Sequence, residues 1–354
     1  MTLVTESFQI RVCSQDDLQA WQDEWRSFVA TTGWQGCHCL PEWTTILGNA
    51  LKQDPFVILA LREDRIVGVL PLLFVNSRLF GRFLVSLPYL NWGGVISEDD
   101  QAARGLVDRA VELADELDVR YLELRQEKEF EHPALSQSMN QKVQMRMQLA
   151  DSDKAAWKNL RSVVRTQVRK AEGLGLTVQW GRHALLHDFY AIFAQNMRDL
   201  GTPVYAMRLF ELILTEHHDS AELCVVRLGK RPIASALVIH HDVLTEVPTA
   251  SSLRKYRETA ANSLMYWRMI QRAIERGQEV FDFGRSTRGE GTYIFKKKWG
   301  AKPHPAVWQY YVRKGSATDM RPDGGKYDRA VKIWQRLPLW VTRLVGPSIV
   351  RGIP

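Results

Sequence analysis

The sequence predicts an α/β (α+β) protein built of two similar halves, each around a mixed, mostly antiparallel sheet. The first observation is a repeated order of elements. Residues 56–125 and 222–285 both run hairpin, further strand, amphipathic helix, strand, and the last strand of each ends at or near an arginine, Arg125 or Arg285. The second is size: 354 residues, 45% hydrophobic and 25% charged, suffice for two cores of ordinary balance. The third is the basic, glycine-terminated segment between the repeats, residues 151–175. The expected division is 1–150, 151–315, and a linker with an amphipathic tail, 316–354.

In chain order, residues 8–12 read as a short strand and 15–32 as a helix with Leu18, Trp21, Trp25, Phe28 and Val29 inward. Residues 56–61 and 66–74 are apolar strands around Arg62-Glu63-Asp64-Arg65, a hairpin. Residues 79–87 give further strand, and Pro88-Tyr89-Leu90-Asn91-Trp92-Gly93-Gly94 interrupts it with aromatics and glycines. A helix over 100–117 feeds the strand 121–125, and 143–149 closes this half as an alternating strand. In the second half, 176–180 is a strand and 185–200 a helix. A hairpin pairs 222–228 with 232–240, strand 243–251 follows, then a helix over 259–276 and strand 280–283.

Between the halves Ser152 and Asp153 suit the cap of one helix over 154–172, with Gly173 and Gly175 ending it. Arg161, Arg165 and Arg169 recur every fourth residue, which puts them on one helix face. Like charges at that spacing repel, so the stripe suits a phosphate-bearing ligand or a solvated surface.

Chemistry concentrates in residues 281–301, FDFGRSTRGEGTYIFKKKWGA. A strand carrying Asp282 stops at Gly284. Arg285, Ser286 and Thr287 then enter a loop punctuated by Gly289 and Gly291, where backbone can approach a ligand closely. Tyr293, Phe295, Lys296, Lys297, Lys298 and Trp299 follow, as a substrate-facing segment or an amphipathic strand. Asp282 is either a general base or a buried partner of Arg285.

The two-fold plan, the connecting segment ending Arg169-Lys170-Ala171-Glu172-Gly173-Leu174-Gly175, and Gly291-Thr292-Tyr293-Ile294-Phe295-Lys296-Lys297-Lys298-Trp299-Gly300 resemble the Fem-type aminoacyltransferases, tandem GNAT-fold enzymes that build peptidoglycan bridges. Leu70-Pro71-Leu72, Leu79-Phe80-Gly81-Arg82, Asn196-Met197-Arg198-Asp199-Leu200-Gly201-Thr202-Pro203 and Phe281 to Ser286 resemble a Fem-like branch associated with exosortase and exopolysaccharide systems. The resemblance spans residues 8–315. It implies tandem GNAT-like folds and acyl transfer from an activated thioester or ester to an amine or hydroxyl of an envelope or exopolysaccharide precursor.

Within that resemblance, Lys296 occupies the lysine of the family's Phe-Lys motif, implicated in stabilising the reacting acyl group, and Asp282 is the nearest candidate base. Arg285, Ser286, Thr287, Tyr293, Trp299 and the Arg161/Arg165/Arg169 stripe are substrate-binding candidates. Arg254, Lys255, Arg257 and Asn262 occupy the donor pyrophosphate loop, which here is basic and lacks glycine. The resemblance implies acyl-CoA or aminoacyl-tRNA as co-substrate, without a permanently bound cofactor. No sustained heptad pattern matches the tRNA-binding coiled-coil arm of some relatives. Two alternatives are an acetyl-CoA-dependent sugar-amine N-acetyltransferase and a non-catalytic scaffold binding nucleic acid or a lipid-linked glycan.

The formal charge of +7 and pI near 9.2 favour polyanionic partners: phosphates, nucleic acid or an anionic membrane face. Cys13, Cys37, Cys39 and Cys224 lack disulfide or zinc spacing, and Cys37-His38-Cys39 alone leaves a metal incompletely coordinated, so reduced structural thiols and no metal are expected. No apolar run reaches the ~20 residues of a membrane span, and the N-terminus lacks signal-peptide character, so the expected location is cytoplasmic. Residues 315–327 read as a linker. In the tail, Ile333, Trp334, Leu337, Leu339, Trp340, Leu344 and Val345 alternate with Lys332, Arg336, Arg343 and Arg351, and Pro338 and Pro347 break it into short pieces. It suits either packing on the protein or contact with the inner face of a membrane.

Overall fold

The computed structural model describes residues 8–33, 36–316 and 328–354, so most of the predicted linker lies outside the described residues. The first half contains β1 (Gln9–Cys13), α1 (Gln15–Leu18), α2 (Gln22–Thr32), α3 (Glu42–Leu51), β2 (Asp54–Arg62), β3 (Arg65–Ser77), β4 (Gly81–Val85), β5 (Ile96–Ser97), α4 (Asp100–Glu116), β6 (Tyr121–Gln126), β7 (Gln137–Met139) and β8 (Lys142–Gln148). The second contains α5 (Asp153–Asn159), α6 (Ser162–Gly173), β9 (Leu176–Gly181), α7 (Leu186–Leu200), α8 (Met207–Glu216), β10 (Ala221–Leu228), β11 (Arg231–His241), β12 (Leu244–Ser252), α9 (Ala261–Glu275), β13 (Val280–Thr287), α10 (Gly291–Lys298), β14 (Lys302–Pro305) and β15 (Val307–Val312). The tail adds α11 (Asp328–Arg336) and α12 (Leu339–Val350).

Two sheets form, with strand orders β1-β2-β3-β4-β6-β15-β7 and β14-β8-β13-β12-β11-β10-β9; β5 pairs with β3 beside the first. The repeat holds in three dimensions. Each hairpin, β2–β3 or β10–β11, is followed by one more antiparallel strand, a helix, and a final strand pairing parallel to the strand before that helix: β4 with β6, β12 with β13. A strand-helix-strand unit yields a parallel pair because the helix carries the chain back along the sheet. α4 buries Leu106, Val107 and Ala110 against the first sheet, and α9 buries Leu264, Met265 and Ile270 against the second.

Register exposes a closer equivalence than the sequence spacing suggests. Glu123 and Asp282 each occupy the third rung of their parallel ladder, opposite Val85 and Glu246. The arginines then differ by one position because β13 shifts register against β8 between Asp282 and Arg285, a bulge at Gly284. Gly284 has φ +79°, and a Cβ there would lie 3.2 Å from the Val247 carbonyl oxygen, so the bulge requires glycine.

Several expectations are corrected. β8 does not close the first sheet; it runs between β13 and β14 of the second, while β15 from the second half runs between β6 and β7 of the first. Each sheet is therefore completed by a strand lying beyond the other half's repeat. The single basic helix is two, because Leu160 and Arg161 are extended between α5 and α6. The helix over 15–32 is interrupted by a 3₁₀ turn at Gln19–Trp21. β13 continues through Thr287, and residues 291–298 are the helix α10 rather than loop or strand. α3 and α8, which carry no strong caps, pack on each other and were not anticipated.

The tail packs on the protein: α11 and α12 lie on α7, Thr342 is buried, and Gln335 donates to the Asp199 carbonyl. Its outward side keeps Ile333, Trp340, Leu344 and Val345 exposed. Among the described residues no helix is long and apolar enough to cross a membrane. All four cysteines are buried and unpaired.

Candidate active site

β13 alternates between two environments. Phe281 and Phe283 enter the second core, where Phe283 stacks on Tyr266 with centroids 5.4 Å apart. Asp282 faces the other way, flanked across the ladder by Glu246 on β12 and Arg146 on β8. Its carboxylate accepts from Arg146 Nε (3.1 Å), the Gln144 amide (2.9 Å) and the Gly284 backbone N–H (2.7 Å). Its partner is thus Arg146, not Arg285. Burial raises its pKa to about 6 although Arg146 opposes the shift. For Glu246, burial pushes upward, but His38, Arg146 and the Cys37 amide outweigh it and hold the carboxyl below its ordinary value.

The parallel pairing of β12 and β13 ends at Glu246 and Asp282, and the bulge at Gly284 follows directly. α10 brings Lys296 back over this point. Its side chain is 7% exposed, and Nζ donates to the Gly284 and Arg285 carbonyl oxygens, each at 2.9 Å. Two of its three N–H groups are so engaged. Burial lowers its pKa to about 8, against the opposing pull of Asp282. The result is a lysine held on a backbone bulge by two carbonyls, with its ammonium made easier to deprotonate than an exposed lysine's.

Arg285 leaves the bulge toward the first half. Its guanidinium lies 4.2 Å from the centre of the Trp308 ring, and that of Arg125 lies 4.1 Å from the same ring. Arg125 also pairs with Glu123 at 2.7 Å and donates to the Leu90 carbonyl. Burial, reinforced by Arg125, lowers the pKa of Arg285 to about 10, and its Nη1 has no hydrogen-bond partner. The arginines that end the two repeats thus meet on one indole supplied by the exchanged strand β15. Ser286 is buried with an unpaired hydroxyl, and Thr287 accepts from Lys142.

The remaining expected residues scatter. Trp299 is in the core against Tyr266, Phe283 and Phe295, because α10 rather than a strand carries it inward; Tyr293 is half-buried on the same helix. Arg165 donates to the Lys158 and Leu160 carbonyls, closing the end of α5. Arg169 lies over Trp157 and Arg161 is the exposed N-cap of α6, so Arg165 and Arg169 keep their four-residue spacing on that helix while Arg165 is engaged by the end of α5. Arg254, Lys255 and Arg257 form an exposed 3₁₀ turn before α9, and Asn262 sits in its first turn. Among the described residues no group of three or more His, Cys, Asp or Glu is placed to hold a metal.

Sequence reading missed His38, Glu246, Gln144, Arg146, Tyr89 and Trp92, which converge where the halves meet. They line or border a cavity reaching Gly284. The signal in the chain is the aromatic, glycine-rich break at 88–94, and His38 lies within Cys37-His38-Cys39, whose spacing speaks only of metal.

These features define two GNAT folds in tandem, with the candidate site on the second where it abuts the first. Residues 158–297 match the family model described as acetyltransferase (GNAT) domain. Among curated proteins no sequence matches significantly. Solved structures do: FemX (TM-score 0.62, 16% identity, covering 82% of this chain and 96% of that one) and a tandem GNAT protein of the clavulanic acid biosynthesis pathway (0.56, 11%, 88% and 100%). L-PGS from Bacillus licheniformis is also similar (0.55, 11%, 92% and 96%). At these identities the likeness is one of fold.

Proposed function

We propose that the protein is an acyltransferase that passes an acyl or aminoacyl group to an amine or hydroxyl of a cell-envelope or exopolysaccharide precursor. The observation that carries this reading is Lys296, a buried ammonium held on two carbonyls at the bulge, with one N–H left to meet a developing oxyanion. The GNAT match favours acyl-CoA as donor, its diphosphate lying at the start of α9 beside Arg254, Lys255 and Arg257. The fold shared with FemX, together with the Fem-like motifs, supports an aminoacyl group and an envelope acceptor.

In this reading Asp282 is a positioning residue. Its oxygens hold Arg146, Gln144 and the bulge amide, and the side chain is fully buried. Glu246, which lines the cavity, is the carboxylate placed to receive the nucleophile's proton. Arg285, whose buried Nη1 lacks a hydrogen-bond partner, would hold an acceptor oxygen. The exposed Ile333, Trp340, Leu344 and Val345, with Lys332, Arg336 and Arg343 nearby, support a resting place on an anionic membrane face.

Incubation with acyl-CoA and aminoacyl-tRNA donors, followed by mass spectrometry of products, tests the reaction; no product with any donor rejects it. The pH profile is a second test. Lys296 must stay protonated, and its lowered pKa means that the charge is lost as pH rises through about 8. Asp282 must be ionised to hold the bulge, and its raised pKa means that this is lost as pH falls through about 6. The expected rate is bell-shaped between these limbs, and Asp282→Asn should flatten the acid limb. A profile level from pH 5 to 9 would remove both groups from the mechanism.

A further inference from the structure

Buried polar groups in folded proteins are nearly always paired, so a cluster of unpaired ones at one place needs an explanation. Both ring nitrogens of His38, the Tyr89 hydroxyl, the Trp92 indole N–H and the Gln144 side-chain carbonyl have no hydrogen-bond partner. All four side chains line one cavity of about 50 Å³, shared with Glu246 and Gly284. His38, Trp92 and Gln144 are only 5%, 3% and 3% exposed. Groups this deep destabilise the fold unless a partner meets them, and here the cavity they share is where that partner must sit.

The charges nearby are already matched. Glu246 accepts from the Cys37 amide and faces His38 at 3.9 Å, while Asp282 is occupied by Arg146, Gln144 and Gly284. What remains open is neutral hydrogen-bonding capacity, bounded by the rings of His38, Tyr89 and Trp92. His38 and Trp92 meet edge to face, with centroids 5.3 Å apart. Both also line a second, smaller cavity of about 20 Å³, whose Val95, Gln126 and Glu127 belong in turn to an open cleft of about 470 Å³. That cleft has the size of an ordinary small-ligand site.

We propose that the cavity between the halves binds a neutral, hydroxyl-bearing group, the edge of a sugar, whose ring lies toward the open cleft. A cavity of about 50 Å³ admits a hydroxymethyl or acetamido end and not a whole ring. Hydroxyls satisfy Tyr89, Trp92 and His38 as acceptors and Gln144 as donors, and the sugar's C–H faces lie on the aromatic walls. This deepens the acyl-transfer reading, on which it rests only in casting the sugar as acceptor.

Titration calorimetry and saturation-transfer NMR on the full chain test it, with N-acetylglucosamine and glucose as probes and inorganic phosphate and ethylamine as charged controls. The sugars should bind and the controls should not compete with them. Tyr89→Phe is the informative variant, since its hydroxyl has no partner in the protein. It should keep or raise the unfolding midpoint yet weaken sugar binding about tenfold. Trp92→Phe, which removes the N–H and keeps a ring, should weaken it similarly. Failure of both sugars to bind, preference for a charged control, or an unchanged affinity in Tyr89→Phe overturns the proposal. Sugar binding without turnover from any donor would instead reject the acyl-transfer reading and leave the site in place.

Discussion

Lys296→Met is expected to reduce turnover by about 10²–10³-fold, the usual effect of removing one group that stabilises a developing oxyanion. Stability should change far less. Lys296 holds two carbonyls, which favours it, but its lowered pKa shows that the buried ammonium is also disfavoured where it stands. Methionine has similar length, fills the space against the bulge and removes that desolvation cost while leaving the carbonyls unpaired. The two contributions oppose each other, so the unfolding midpoint should move little while the rate collapses. Steady-state kinetics and denaturant unfolding on the same preparation separate them. Turnover equal to that of the unmodified protein would show that Lys296 merely clips α10 to β13.

Trp308→Ala should have the largest effect on stability, a loss of about 1.5–3 kcal/mol for a half-buried indole that also donates to the Asn91 carbonyl. Trp308 sits on β15, the strand that the second half's chain contributes to the first sheet, and both Arg125 and Arg285 lie over its ring. Removing the indole takes away the π surface that holds both guanidinium groups and leaves the two like charges facing each other. Trp308→Phe keeps a smaller ring and should recover much of the loss. If Trp308→Ala unfolds at the same denaturant concentration as the parent, the indole is not what holds the halves together. The experiment also bears on Arg285, whose position above the bulge depends on that ring.

The repeat of hairpin, strand, helix and strand was legible from the chain alone, because hydrophobic period switches between 2 and 3.6 as strands give way to helices. β2, β3, α4, β6, β10, β11, β12, α9 and β13 fall where that period puts them, to within a few residues. The gathering of Asp282, Arg285 and Lys296 around one glycine bulge was foreshadowed too, since Gly284 and Gly289 sit beside them in the chain and both adopt positive φ. What periodicity does not carry is which sheet a strand joins. β8 and β15 alternate correctly as strands, yet their partners lie in the opposite half, a choice made by edges and facing surfaces far away in sequence.

The same limit explains the site. Arg165 and Arg169 keep their spacing on α6, but the extended Leu160-Arg161 turns the chain so that Arg165 closes the end of α5, a contact that spacing alone does not carry. Residues 291–298 contain enough aromatic and β-forming character to suggest a strand, but helix formation lets Phe295 and Trp299 pack on Tyr266 and swings Lys296 onto the bulge. The sequence by itself determined two tandem halves and a glycine-punctuated polar stretch at the end of the second. Only the tertiary structure decided that His38, Tyr89 and Trp92 should meet Gln144 on the exchanged strand β8 and Glu246 and Gly284 of the second half, because contacts between residues so far apart depend on how two sheets interlock rather than on any local period.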